Sequence, residues 1–397
     1  MTTTDPVVIV SAARTPMGGM LGDLKELAAP QLGAAAIRAA VERSGIGAEA
    51  VDEVVMGCVL PAGLGQAPAR QAAIGAGLPL STRCAVVSKV CGSGMKAAMI
   101  GHDMLLAGSA KVVVAGGMES MTNAPYLLEK ARAGYRLGHS KLVDHMFFDG
   151  LEDAYFDKGR LMGTFAEDCA QAYGFGREQQ DDWAATSLNR ALAAIRDGRF
   201  DAEIVPVTVK AGRTERLVST DELPPKADSN KIRVLKPAFR EGGTVTAANS
   251  SSIADGAAAL VLTRQTQAEA WGVKPQAVIR GHSSFAGRPE LFPTAPVGAV
   301  RSLLDQLGWS VADVDLWEFN EAFAVVAMAA IRDLGLPLGI VNVHGGACAL
   351  GHPIGASGAR ILVTLLSALR QKGLRRGVAA ICIGGGEATA LAVELCR

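Results

Sequence analysis

Two cysteines and one histidine stand in glycine-rich surroundings suited to nucleophilic chemistry. Cys91 ends the run VVSKVC and is followed by Gly-Ser-Gly and then by residues at helical spacing, which predicts a sulfur at the positive end of a helix. That position can bring a thiol below its free pKa of about 8.5 and make it a nucleophile. Taken alone, a single cysteine has the plainer use of filling a core. His352, in GHPIGASGAR, occupies a similar turn near the other end of the chain, where an imidazole could accept a thiol proton. Cys382 closes a strand in AAICIGGGEA, and the three glycines after it allow backbone N–H groups to approach a ligand oxygen closely. Asn320 and Glu321, in WEFNEAFA, end a strand read over 314–319 and open the next helix.

Residues so far apart in sequence need a scaffold that brings their turns together, and the chain carries a duplication that does so. AIRAAVERSGIGAEAVDEVVMG (36–57) lies without gaps over AVRSLLDQLGWSVADVDLWEFN (299–320), pairing Arg38 with Arg301, Gly45 with Gly308 and Asp52 with Asp315. Each copy reads as an apolar-striped helix, a glycine stop and a β-rich run. A second pair follows in register, from Ser93 and from Ser357: Ser-Gly, an amphipathic helix, a strand, Gly-Gly and Glu. Two pairs in register predict a duplicated α/β fold, each half with a largely parallel sheet covered on both faces. Ligands of such sheets bind beyond the carboxyl ends of the strands, and duplication sets two such ends face to face.

Residues 120 to about 250 interrupt the pattern with polar, loop-rich sequence that includes a helix near 177–198. Its later part holds Lys210, Arg213, Arg216, Lys226, Lys231, Arg233, Lys236 and Arg240, readable as a solvated face or as a groove for a polyanion. The chain as a whole has 39 basic and 39 acidic residues among 397, so no global field draws it to nucleic acid or an anionic membrane. No apolar stretch reaches the roughly 18 residues of a membrane helix. MTTTDPVVIVSAARTP reads as a first strand rather than a signal peptide, and the terminal ELCR is not a peroxisomal address. Seven cysteines without metal-ligand spacing read as free thiols of a reducing compartment, and the expected location is cytoplasmic.

VCGSGMKA around Cys91, GGMESM at 116–121, NEAFA at 320–324, GHPIGASGAR at 351–360 and CIGGGEA at 382–388, in this order and spacing, resemble the thiolase family. The resemblance extends through GTVTAANSSSIADGAAA (243–259) and covers essentially the whole chain. It implies two βαβαβαββ halves in an α/β/α/β/α layering: residues 1–119 with about 250–270, and 271–397, with a loop domain at 120–249 that binds coenzyme A. It implies an acyltransferase that joins two acetyl-CoA reversibly to acetoacetyl-CoA and CoA through an acetyl-cysteine. By the same resemblance Cys91 is the nucleophile and His352 its activator. Cys382 exchanges the α-proton, and Asn320 holds a water that forms one oxyanion hole with His352. The N–H groups of Cys91 and Gly384 form the other hole, and Ser251, Phe239 and Met162 bind the coenzyme A substrate. Coenzyme A thioesters enter as substrates, no metal or redox cofactor is implied, and the working unit is a dimer or tetramer. A 3-ketoacyl-CoA thiolase of longer chains and a non-catalytic acyl-CoA or lipid-binding protein remain the alternatives. Where the family usually continues Gly-Gly-Gly-Gln-Gly, this chain has Glu387 and Ala388, which predicts a local difference at that turn. His344, in a place where Asn is frequent, reads as structural.

Overall fold

The computed structural model describes residues 5–396; Met1–Thr4 and Arg397, which belong to the terminal segments read above, lie outside the described residues. The first half runs β1 (Val7–Arg14), α1 (Ala29–Ser44), β2 (Glu53–Gly57), α2 (Pro68–Gly75), β3 (Arg83–Val87), α3 (Ser93–Ala107) and β4 (Val112–Ser120). The insertion contributes α4 (Met162–Tyr173), α5 (Arg177–Arg196) and two small hairpins before the chain returns as β5 (Ala254–Arg264). The second half runs β6 (Ala277–Ala286), α6 (Ala295–Leu307), β7 (Leu316–Phe319), α7 (Ala324–Leu334), α8 (Ile354–Lys372), β8 (Arg376–Ile383) and β9 (Glu387–Leu395).

The duplication is visible in the details that end and link these elements. α1 and α6 both stop at a left-handed glycine, Gly45 at φ 71° and Gly308 at φ 63°, where a side chain would be strained. In the two connections Asp52 Oδ2 accepts from the N–H groups of Lys111 and Val112, and Asp315 Oδ2 from those of Arg375 and Arg376. Each aspartate thus ties the start of its strand to the neighbouring one.

The strands lie in the order β7-β8-β9-β6-β1-β5-β4-β2-β3, with the short Gly18–Gly19 strand pairing β5. The two halves mirror one another across the antiparallel β1/β6 pair, which spans only Val8–Ile9 against Ala277–Val278. The expectation of largely parallel sheets is corrected here. Among the described strands of this sheet, the parallel pairs are β2/β3, β2/β4 and β7/β8, whereas β5 and β9 run antiparallel to both neighbours. The reason is the connection: β8 and β9 are joined by Gly384–Gly386 alone, and three residues can close a hairpin but not a crossover.

Five layers result. α1 and α2 cover one face of the first half's strands, α6 and α7 cover the outer face of the second, and α3 and α8 fill the space between. α8 departs from the amphipathic reading: every residue from Ile354 to Leu369 is buried, because it touches α3 and strands of both halves. Contact this close requires glycine. A Cβ on Gly117 of β4 would stand 2.0 Å from the carbonyl oxygen of Gly355 in α8.

Candidate active site

Cys91 immediately precedes Gly92, the N-cap of α3, and His352 immediately precedes Pro353, the N-cap of α8. The packing of these two helices therefore delivers both side chains to one place, a cavity of about 500 Å³. Cys91, His352 and Gly384 line it, as do Met162, Phe239 and Ser251. Asn320 and Cys382, both wholly buried, stand behind this wall. The Asn320 Nδ2 atom is 3.4 Å from His352 Nε2, and the Cys91 sulfur lies close enough to raise the pKa of the Cys382 thiol. The structure thus gathers all eight residues singled out from the sequence.

The electrostatics correct one expectation. The Cys91 thiol is pushed up to about 11, not lowered, chiefly by burial and further by the Glu119 carboxylate. The N–H groups of Gly384 and of Cys91 itself point at the sulfur and oppose this without cancelling it. Helix-end stabilisation is worth under about 2 kcal/mol even in partly buried sites, which is less than the desolvation of a thiolate in an apolar pocket. Cys382 is held well above the usual thiol range by its burial first and then by Cys91.

The imidazole is neutral too. Burial, followed by the Arg360 charge, lowers His352 to about 3. Its Nδ1 lies 2.5 Å from Ser357 Oγ, and that hydroxyl donates to Pro353 O at 2.9 Å. Nδ1 therefore carries the hydrogen, and Nε2 presents its lone pair on the Asn320 side. The His352 N–H donates to Ser252 O at 2.9 Å, which fixes the turn. The site holds a thiol and a neutral imidazole.

Glu119 binds the two halves beside the site. Its carboxylate accepts from the N–H groups of Val59 (2.9 Å), Leu60 (3.2 Å) and Gly355 (2.9 Å), and burial raises it to about 7. Glu321, next to Asn320, accepts from Ser187 Oγ, Asn342 Nδ2 and the Cys348 N–H. Ser357 and the structural use of Glu119 were missed in the sequence reading. Ser357 had a signal: its counterpart in the duplication, Ser93, also donates to the residue that opens its own turn, Val90. The apolar wall, such as Leu161, Phe292 and Phe323, had none, because apolar residues look alike in sequence whether they line a core or a cavity.

The wall is closely fitted. The ring of Phe239 meets Phe323 edge-on at 5.9 Å, and a Cβ on Gly163 would fall 2.3 Å from it. The Ser251 N–H donates to Ala322 O. His344 lies elsewhere, buried with its ring edge-on to Phe200 at 6.0 Å. In the basic stretch, Arg216, Lys226, Arg233 and Arg240 pair with Asp23, Glu222, Asp182 and Asp168. Glu387 forms an ion pair with Lys89, two residues before Cys91, so the difference expected at that turn is a tie between the turns of the two halves.

A helix-end thiol from one half and a neutral imidazole from its copy, around one cavity, define an acyltransferase built by duplication. Residues 7–266 match the thiolase N-terminal domain and residues 273–395 the thiolase C-terminal domain, and the chain belongs to the thiolase family. It is 52% identical to acetyl-CoA acetyltransferase 2 of Arabidopsis thaliana, over 98% of this chain and 97% of that protein. It is 49% identical to the acetyl-CoA acetyltransferase of Pseudomonas aeruginosa, over 97% and 98%. Among solved structures, the Bacillus anthracis acetyl-CoA acetyltransferase superposes with a TM-score of 0.96 at 40% identity, covering 99% of both chains. A thiolase of Ascaris suum in complex with coenzyme A does so with a TM-score of 0.93 at 41% identity, covering 98% of this chain and 100% of that one.

Proposed function

We propose that this chain is an acetyl-CoA C-acetyltransferase, and that the observation carrying the reading is the shared cavity of Cys91, His352 and Gly384, with Cys382 and Asn320 behind it. In the first half-reaction the Cys91 sulfur attacks the carbonyl of acetyl-CoA while its proton moves to His352 Nε2. The negative oxygen that forms is held by N–H donors, and CoA leaves with the proton from His352. In the second, the Cys382 thiol passes its proton to His352, the Cys382 thiolate takes a methyl proton from another acetyl-CoA, and the enolate carbon attacks the acetyl-Cys91 carbonyl. The carbon–sulfur bond breaks, and the proton returns to the Cys91 sulfur. Two acetyl-CoA become acetoacetyl-CoA and CoA, with nothing oxidised. The nucleophile and bases are side chains, and the oxyanion donors are backbone N–H groups, His352 and a water held by Asn320, so the reaction is proposed to need no metal or redox cofactor.

Met162, Phe239 and Ser251 would hold the pantetheine arm, with the phosphates toward Lys236 and Arg240, which border a shallow depression around Phe239. Self-association is part of the proposal. β3 ends the sheet and is largely exposed although it reads RCAVV, an edge that a second chain would cover. Light scattering should give a dimer or tetramer mass, and a monomer at micromolar concentration would remove this part. A cytoplasmic location accords with seven free cysteines. No described helix is long and apolar enough to cross a membrane.

The deciding assay is CoA-dependent thiolysis of acetoacetyl-CoA beside a long-chain 3-ketoacyl-CoA at equal concentration. The proposal requires the short substrate to be preferred. Preference for the long chain would make the protein a thiolase of fatty acid degradation, and inactivity on both would favour a binding protein.

A further inference from the structure

Far along α3 from Cys91, three potential ligands converge. His102 and Asp103 are neighbours on that helix, and His282 reaches them from β6 of the other half. The sequence placed no chemistry here, since His282 is 180 residues from His102. A β-bulge makes the meeting possible. The register of β6 against β9 shifts between Ile279 and Gly281. Ile279 faces the central layer, so uninterrupted alternation would turn His282 outward. The extra residue reverses the alternation: Ser283 now faces out and donates to Ala299 O in α6, and His282 faces α3.

The three donor atoms form a tight triangle. His282 Nε2 is 2.9 Å from Asp103 Oδ1 and 3.2 Å from His102 Nδ1, and the latter two are 3.1 Å apart. Hydrogen bonding cannot satisfy this arrangement when both rings are neutral. Each ring nitrogen holds at most one hydrogen, and if both donate to Asp103 the nitrogen–nitrogen contact has none. A cation in front of the triangle would accept all three lone pairs. Zinc lies about 2.0–2.2 Å from such ligands, which in a tetrahedron sets donors roughly 3.3 Å apart, close to the spacing seen. The histidine side chains are 13% and 17% exposed and Asp103 58%, so the ligands are held by packing while one side stays open to an entering ion. The nearby positive charge of Arg264 is paired with Asp5 at 3.2 Å.

We propose that His102, Asp103 and His282 form a binding site for a divalent transition metal of the zinc, cobalt or nickel class, completed by water, that joins α3 of the first half to β6 of the second. Two imidazoles and one carboxylate suit these ions and not calcium or magnesium. His102 lies eleven residues from Cys91, roughly 16 Å along the helix, so the metal is a cross-link between halves and not a participant in acyl transfer.

The test uses tag-free full-length protein whose accessible thiols have been alkylated, titrated with Co²⁺ and followed by equilibrium dialysis and visible absorption. One ion per chain is expected, with cobalt bands of nitrogen and oxygen ligation. His282→Gln and, separately, Asp103→Asn should each weaken binding at least tenfold. Zinc should raise the melting temperature of the unaltered protein and leave that of the variants unmoved. Before alkylation, thiolysis of acetoacetyl-CoA should be unchanged in both variants. No binding at tens of micromolar Co²⁺, undiminished binding in either variant, or thiolate-to-cobalt charge-transfer bands in the unaltered chain would overturn the proposal. The last reading needs no variant to fold.

Discussion

At the scale of single residues, burial keeps both Cys91 and His352 uncharged. With the thiol held near 11 and the imidazole near 3, neither ionises at neutral pH, in contrast to a thiolate–imidazolium pair. The sign of the pH dependence follows. A raised thiol pKa means that reactivity toward iodoacetamide grows as pH rises through 8 and 9, with no plateau in the acid range. A rate for Cys91 that is flat from pH 6 upward would show an ion pair instead. Ser357→Ala removes the hydroxyl that fixes the tautomer of His352. It should lower the rate of acylation by about tenfold while leaving KM for acetyl-CoA nearly unchanged, and Ser357→Thr should recover part of the loss. Cys382→Ala should still gain an acetyl group in intact-mass spectra but form no acetoacetyl-CoA, and normal condensation by this variant would remove the base from its assigned role.

At the scale of elements, the positions of Cys91 and His352 depend on how closely the two central helices and β4 approach. Gly117→Ala tests this directly, since the new methyl would overlap the Gly355 carbonyl, three residues from His352. Overpacking against backbone should cost about 1–3 kcal/mol of stability and lower acylation more than it lowers coenzyme A binding. Denaturant melts and burst kinetics read the two effects separately. The Lys89–Glu387 pair is partly exposed, at 23% and 37%, and Glu387→Gln should change stability by less than about 1 kcal/mol. Motif spacing already marked the two helix starts as equivalent. The direction of β5 and β9 was not legible, because alternating strands and helices say nothing about a strand that returns after a long insertion or a three-residue turn.

At the scale of the whole molecule, the insertion is anchored to the duplicated frame by buried charge. Arg14, wholly buried at the end of β1, makes a two-pronged bond to Asp221 (2.7 and 2.8 Å) and a third to Glu203 (2.5 Å). Asp221 also accepts the Met17 N–H at 2.8 Å. Asp221→Ala would leave a guanidinium half-paired in the interior, which costs about 3–5 kcal/mol when one partner of a buried pair is removed. A substantial fall in the urea midpoint is expected, and an unchanged midpoint would show that the insertion is held by its apolar contacts alone. Pairing across 207 residues leaves no trace in one sequence, and so Arg14, Glu203 and Asp221 were all passed over there.

The sequence by itself determined the duplication, the thiolase resemblance and the positions of Cys91, His352, Cys382 and Asn320 at the ends of strands and the starts of helices. Each of these rests on local chemistry: a glycine that must end a helix, a cysteine or histidine before a helix start, a run of glycines after a strand. Tertiary structure alone decided the ionisation of those residues and the company they keep. The thiol is raised because of how deeply it lies, and depth is the sum of packing from both halves. The histidine tautomer was set by a serine one helical turn away, and the His102–Asp103–His282 triangle by a single-residue bulge that turned one side chain inward. Desolvation and convergence depend on elements distant in sequence, and they take form only when the chain closes around them.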